Sequence, residues 1–437
     1  MKTKTKIGLA AFAAVGATAV VAMQPRWADT PQQQAAAQPA AQRKLAVVSP
    51  AARRDVDYAG LDARLKRLIA EPQMVGMAVG IVENGRITFL SGYGETVAGS
   101  GEKVTPETVF RWASVSKGVA GAMIGKLAEQ GKVSFAAPIA QYGTTLRLPG
   151  GAERWATVGD LMSHRLGLYR NAYDNKLEEG QDPRFLRQTL AQLNLICAPG
   201  TCWSYQNVAY DTSSEIVEKA TGKPYPDALR EMLFNPLGMT SASATRDGLV
   251  SAKSWARPHS AGRKPLEVLE PYYRVPAAGG VNSNIKDLSL WMLAQMGTTP
   301  DVLSPAVLNT IQAPIVKTPG ERGRLRKFLE RLGQADYGYG WRSYDYAGHR
   351  IVGHRGGVAG YRSLILFDPQ KKSGVVALWN SSTSHPGAVE FEVMDMIYRL
   401  PFRDWLELDS PAAPTAAATP VAAPAEEEPS SGSTSQS

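Results

Sequence analysis

Apolar and polar positions alternate over residues 75–93 around Glu83-Asn84-Gly85, which predicts a hairpin of MAVGIV and RITFLSGY. From Val115 to Gln130 apolar residues recur at helical spacing (Val119, Met123, Leu127), and Gly131 supplies the stop. Further helical patterns fall near 157–163, 184–194, 208–220, 224–234 and 284–296. Alternation returns at 337–346, 349–354, 361–367 and 374–379, and an amphipathic helix covers about 387–399. Strands at both ends with helices between them predict an α+β fold. Its central antiparallel sheet draws on both termini, with helices flanking it and a mostly helical insert at about 137–276. The chemistry is expected at the seam.

The ends of the chain read differently. MKTKTK followed by the apolar stretch of residues 7–23 has the form of a secretory signal, with Val20-Val21-Ala22 as a small-residue cleavage site. At 17 residues that stretch approaches a membrane span, so a retained inner-membrane anchor stands beside the cleaved signal. Residues 24–56 form an Ala/Gln/Pro linker and residues 411–437 a Pro/Ala-rich tail, both expected to be disordered tethers. One folded body, 57–410, remains. The expected location is periplasmic or secreted.

Of 437 residues, 44% are hydrophobic, enough for a sizeable core. The net charge of +8 includes +3 from Lys2, Lys4 and Lys6, +3 over 24–56 and −3 from Glu426 to Glu428, which leaves +5 on the body. An excess so thinly spread argues against a nucleic-acid partner. Cys197 and Cys202 lack the second pair that a metal module needs. In an exported chain they form either a local disulfide across Pro199-Gly200, bracing Tyr205, or two free thiols. The five histidines are scattered, so no metal site is expected, and no phosphate-binding glycine motif or G-x-S-x-G elbow is present.

The serine–lysine nucleophile pattern S-x-x-K occurs at Ser100…Lys103, Ser114…Lys117 and Ser283…Lys286. Ser100 lies in a Gly/Ser loop, and Ser283 reads as the N-cap of the following helix. Ser114 opens a long apolar helix. One turn would set Lys117 beside its hydroxyl, and the helix N-terminus would favour a developing oxyanion. A capping serine and a surface lysine would spell the same letters. Y-x-N also occurs three times. Tyr169…Asn171 and Tyr173…Asn175 read as plain polar loop, whereas Tyr205…Asn207 follows the cysteine turn and leads into a helix. For a third element, Lys372-Ser373-Gly374 occupies a turn, His385-Pro386-Gly387 a helix start, and His354-Arg355-Gly356 a glycine-flanked strand.

With these motifs in order, residues 57–400 resemble the serine β-lactamase-like hydrolases of the class C type, which include D,D-carboxypeptidases, D-aminopeptidases and esterases. FRWASVSK, LMSHRLGL, PGTCWSYQN, NPLGMTS, AAGGVNSNIKDLSLW, YGYGW and GHRGGVAGYRS carry the likeness. The resemblance implies a β-lactamase/transpeptidase-like fold and an acyl-serine mechanism that needs no cofactor or metal. By position, Ser114 resembles the nucleophile, Lys117 its activating partner and Tyr205 the general base and acid. Asn207 resembles a partner of the substrate amide and of the lysine. His354 and Gly356 hold the third motif, and Gly357 resembles the oxyanion donor that acts with the Ser114 N–H. The family's β-lactamases usually carry lysine where this chain has His354. Arg355, Arg350 and Arg362 therefore become candidates to anchor a substrate carboxylate, and β-lactam turnover is expected to be weak.

The expected partner is a small molecule or peptide, including peptidoglycan-derived peptides; oligomeric state is not assigned. A catalytically silent binder and a tethered scaffold of the same fold are the rival readings. Residues 321–334, with five basic and two acidic side chains, read as an amphipathic helix able to meet an anionic surface or solvent. His164 reads as a structural hydrogen-bonder, and Trp112 and Trp203 as cleft or core.

Overall fold

The computed structural model describes residues 55–409. The signal or anchor, nearly all of the 24–56 linker and the tail lie outside the described residues. The described strands are β1 (Gly76–Glu83), β2 (Arg86–Gly94), β3 (Phe110–Arg111), β4 (Asn282–Ser283), β5 (Val316–Lys317), β6 (Leu332–Tyr337), β7 (Arg342–Tyr346), β8 (His349–Val358), β9 (Tyr361–Asp368) and β10 (Ser373–Trp379). Eight form one antiparallel sheet in the order β2-β1-β10-β9-β8-β7-β6-β5, so the N-terminal hairpin lies against the last strand. The hairpin closes on Asn84 (φ 51°) and Gly85 (φ 73°), the left-handed pair that a two-residue turn requires.

Strand alternation sends side chains to two cores. Ala78, Val82, Val352, Ile365 and Val376 face the larger one, with Trp112, Met123, Trp291 and Trp341. Met77, Val79, Ile351, Leu364 and Val375 face the smaller one, with Leu61, Leu65, Phe391 and Val393 from the first and last helices (Tyr58–Ile69 and Val389–Tyr398). Between β3 and β4 the chain forms helices and turns and none of the named strands. Helix Ser116–Glu129 is buried around almost its whole circumference. It packs so close to the following sheet that a Cβ at Gly118 would strike the Trp341 ring, and one at Gly121 the Tyr339 carbonyl.

Three expectations are corrected. Residues 337–346 are not one strand, because Gly338–Trp341 form a turn, with Gly340 at φ 87°, between β6 and β7. Residues 321–334 are not one amphipathic helix. A short helix (Pro319–Arg324) and a 3-10 turn (Arg326–Phe328) lead into β6, with Leu325 and Phe328 buried in the smaller core. The helix Ile285–Gln295 is capped by Asn284, whose side chain accepts from Asp287 N, while Ser283 lies in β4. Cys197 and Cys202 form a disulfide with Cα atoms 6.2 Å apart, which decides between the two readings of the pair. Among the described residues no helix is long and apolar enough to cross a membrane.

Candidate active site

Ser114 sits in a 3-10 turn (Ala113–Val115) that runs into helix Ser116–Glu129. Ala113 adopts φ 47°, a left-handed conformation costly for a residue with a Cβ. The neighbours that impose it are all in place. Trp112 N donates to Val281 O (2.8 Å) and its indole to Ser283 Oγ (2.9 Å), while Ser363 Oγ donates to Trp112 O (2.5 Å). Trp112 is therefore a core residue, fully buried, and not a cleft wall. A Cβ at Gly356 would collide with Trp112 O and Ser363 Oγ and lie 3.0 Å from Ser114 N. Glycine is needed there because the Ser114 turn rests directly on β8.

Lys117 is completely buried. Its Nζ donates to Asn207 Oδ1 (2.6 Å) and Ala278 O (2.9 Å) and lies 3.5 Å from Ser114 Oγ. It also stands 4.7 Å from the centre of the Tyr205 ring. Asn207 Nδ2 in turn donates to Asp174 Oδ2 (2.6 Å). Burial pushes the Asp174 carboxyl up to about 6, against the opposing pull of Asn207 and Lys117. Tyr205 is held from several sides. Gly200 N donates to Arg165 O (2.7 Å) inside the disulfide loop, Ser204 N to His164 O (2.8 Å), and Asn171 N to Tyr205 O (2.8 Å).

A second chain of hydrogen bonds closes the opposite side. Gln206 N donates to His164 Nδ1 (3.2 Å), so Nε2 carries the His164 proton and donates it to the Tyr337 oxygen (3.2 Å). At the other end His354 Nδ1 lies 2.7 Å from Arg355 O and must donate, which leaves Nε2 to accept from the Tyr337 hydroxyl (3.2 Å). Backbone groups at both ends thus fix two neutral tautomers. Burial first, then the cations Lys117 and Arg342, holds both imidazoles well below the usual histidine range. The His164 ring lies 4.4 Å from that of Tyr205, joining this chain to the Lys117 side. His164 is thus a hydrogen-bonded structural residue within the site.

These groups surround a cavity of about 580 Å³. Ser114, Tyr205, Asn207, His354, Arg355, Gly356 and Gly357 border it, and Lys117 lies behind Ser114. The expectation of substrate anchoring needs correction at three positions, Arg355, His354 and Arg350. Arg355 follows the parity of Ile351, so its guanidinium turns to Glu390 Oε1 (2.8 Å from Nε) and packs over Phe328 and Phe391. His354 has no ring nitrogen left for a ligand and no charge to offer. Arg350 is bound to Ser343 Oγ and Gln312 O away from the cavity, whereas Arg362 borders it.

Sequence reasoning missed Arg170, Asp174, Tyr272, Glu321, Arg324 and Arg342, all of which border the cavity. Arg342 is buried, 3.1 Å from Glu321, and lies over the Trp203 and Tyr337 rings. YGYGW, immediately before Arg342, was a usable signal. The polar loop 169–175 offered none, since its two Y-x-N matches are incidental and its working groups are Arg170 and Asp174. Among the described residues no group of three or more His, Cys, Asp or Glu side chains has metal-site geometry.

A family model described as Beta-lactamase matches residues 61–394. "Unguisins hydrolase ungD'" of Aspergillus campestris is 28% identical over 347 residues, 76% of this chain and 62% of the relative, so the chain spans less than two thirds of that protein. "Penicillin-binding protein 4" of Amycolatopsis lactamdurans is 28% identical over 74% of this chain and 84% of its own length. Among solved structures, the octameric penicillin-binding protein homologue from Pyrococcus abyssi shares the fold, with a TM-score of 0.70 and 24% identity, covering 79% of this chain and 78% of that one.

Proposed function

The chain belongs to the β-lactamase family of serine hydrolases, and from that premise we propose that it cleaves an amide or ester through a covalent acyl-serine at Ser114. The observation that carries this reading is the convergence of Ser114, buried Lys117, Asn207 and Tyr205 on one cavity. Ser114 Oγ attacks the substrate carbonyl while its proton passes to the Lys117–Tyr205 pair. The Ser114 and Gly357 N–H groups stabilise the tetrahedral oxyanion. Collapse breaks the bond to the leaving group, which takes the proton back. Water then attacks the ester, restores the serine and releases the acid. The reading calls for no cofactor or metal.

The preferred substrate is a peptide or ester, including peptidoglycan-derived peptides, in preference to rapid β-lactam turnover. Neutral, fully bonded His354 supports this preference, because it removes the cation that the family's β-lactamases usually hold there. The local disulfide favours an oxidising, exported location.

The test is intact-mass analysis after parallel exposure to a penicillin, a para-nitrophenyl ester and a D-Ala-D-Ala peptide. A mass increase on the native chain and none on Ser114→Ala is expected; an unchanged adduct on the variant would overturn the assignment. Fast turnover of a chromogenic cephalosporin would contradict the substrate preference.

A further inference from the structure

Asp174 takes no part in the chemistry just described, yet it is the most unusual acid bordering the cavity. It opens the short helix Asp174–Glu178, directly after Tyr173 in a left-handed conformation (φ 64°). Asn171, also left-handed (φ 55°), holds the preceding loop to the Tyr205 carbonyl. Two strained residues in one short loop turn the Asp174 carboxylate inward, where the residue is only 9% exposed. There Oδ2 accepts from Asn207 Nδ2, while Oδ1 is buried with no hydrogen-bond partner among the described residues. A carboxylate kept half satisfied at such a depth calls for an explanation.

We propose that Asp174 is a positioning residue whose ionised carboxylate locks the Asn207 amide with Oδ1 toward Lys117, and whose protonation unlocks it. The proposal rests on the function assigned above. Its logic is donor bookkeeping. Lys117 has only donors, so the amide oxygen must face it, and the amide NH₂ then needs a pure acceptor on its other side. Ionised Asp174 is that acceptor. A proton from solvent on Oδ2 makes Asp174 a donor that competes with Lys117 for the amide oxygen, so the orientation is no longer held from both sides. In the flipped fraction the amide presents NH₂ to the Lys117 ammonium, and the lysine loses its shortest contact.

The charged and titratable groups facing Asp174 are Lys117 from helix Ser116–Glu129, Arg170 from its own loop, Glu178 from its own helix and Tyr272 from the turn packed against it. Lys117 and Arg170 favour the ionised form; Glu178 and burial oppose it. The balance lies at about 6, so the lock holds above that pH and opens as pH falls through it. Tyr272 donates to Glu178 Oε1 (2.7 Å), which leaves its hydroxyl hydrogen unavailable to Asp174.

The experiment follows the Asn207 side-chain amide in the ¹⁵N-labelled full chain, assigned by its loss in Asn207→Ser. Between pH 5 and 8 its resonances should shift with an inflection near 6 in the native chain and show none in Asp174→Asn. The burst rate with a para-nitrophenyl ester should carry the same acid limb and fall about tenfold in Asp174→Asn, with the limb abolished. No inflection in the native chain, or the same inflection in the variant, overturns the proposal. If near-UV circular dichroism shows that Asp174→Asn does not fold, the native titration decides alone. A native chain that forms no adduct refutes the acyl-serine reading, while the amide titration still decides the case of Asp174.

Discussion

Two chains of hydrogen bonds meet at the Tyr205 ring, both buried and opposite in electrical character. Lys117–Asn207–Asp174 runs from a donor-only cation to an acceptor-only anion through one amide. His164–Tyr337–His354 contains no charge and runs between a backbone N–H and a backbone carbonyl. The first chain is set by ionisation and can be reversed by a proton. The second is set by peptide groups that do not titrate, so its direction is fixed by the fold. On the proposed mechanism, the site thus has one wall that responds to pH and one that does not.

The strongest way to break this contrast is to place a charge in the neutral chain. His354→Lys introduces the residue usual in the family's β-lactamases, but here it would add a buried cation facing Lys117 and Arg342, at a position that is 4% exposed. Glu321 is already committed to Arg342 and Arg324. An uncompensated buried charge costs roughly 3 kcal/mol or more, so the denaturation midpoint should fall sharply and β-lactam turnover should not appear. A variant as stable as the native chain would show that the neutral wall tolerates charge, and the comparison would lose its basis.

Tyr337→Phe is gentler. It leaves His164 Nε2–H and His354 Nε2 buried without partners, at about 2 kcal/mol in total. Both imidazoles are held below their ordinary value near 6.5, so neutral histidine contributes stability above that pH and loses it as pH falls below. Because backbone groups hold Nδ1 of each ring, ring ¹⁵N shifts at pH 7 should show the same neutral tautomers in the native chain and in the variant, which loses stability alone. Mixed tautomers in the variant would mean that Tyr337, and not the backbone, directs the chain.

Much of this arrangement was legible in the sequence, for physical reasons that can be named. The β1–β2 hairpin could be read because the alternation of period 2 is interrupted by Asn-Gly, and helix Ser116–Glu129 because its apolar spacing ends at glycine. Ser114, Lys117, Tyr205 and Asn207 could be read because the spacing of each motif survives any loop. Arg355 could not. Its neighbour His354 faces the cavity, and one step along β8 sends the next side chain to the other core. Asp174 was hidden for another reason. A loop residue gains its role from left-handed turns at Asn171 and Tyr173, positions that sequence alone reads as ordinary polar loop. Residues 321–334 misled because buried Leu325 and Phe328 imitate a helical stripe while serving a turn before a strand.

The smallest expected effect concerns what supports both chains from outside. Gly200, inside the disulfide loop, donates to Arg165 O, and the segment that follows places Ser204 N on His164 O and Gln206 N on His164 Nδ1. The Cys197–Cys202 bridge closes a loop with a sequence separation of only 5, so it removes little chain entropy from the unfolded state. Replacing both cysteines by serine should cost about 1 kcal/mol of global stability, at the low end for a native disulfide. If the bridge also fixes Tyr205, the same variant should lower the esterase burst rate more than stability alone explains, and the histidine tautomers should remain as in the native chain. A loss of stability with an unchanged burst rate would assign the bridge to the fold alone. Tautomers that scramble along with it would show that the neutral wall depends on the cysteine turn, and that the two chains are less independent than their charges suggest.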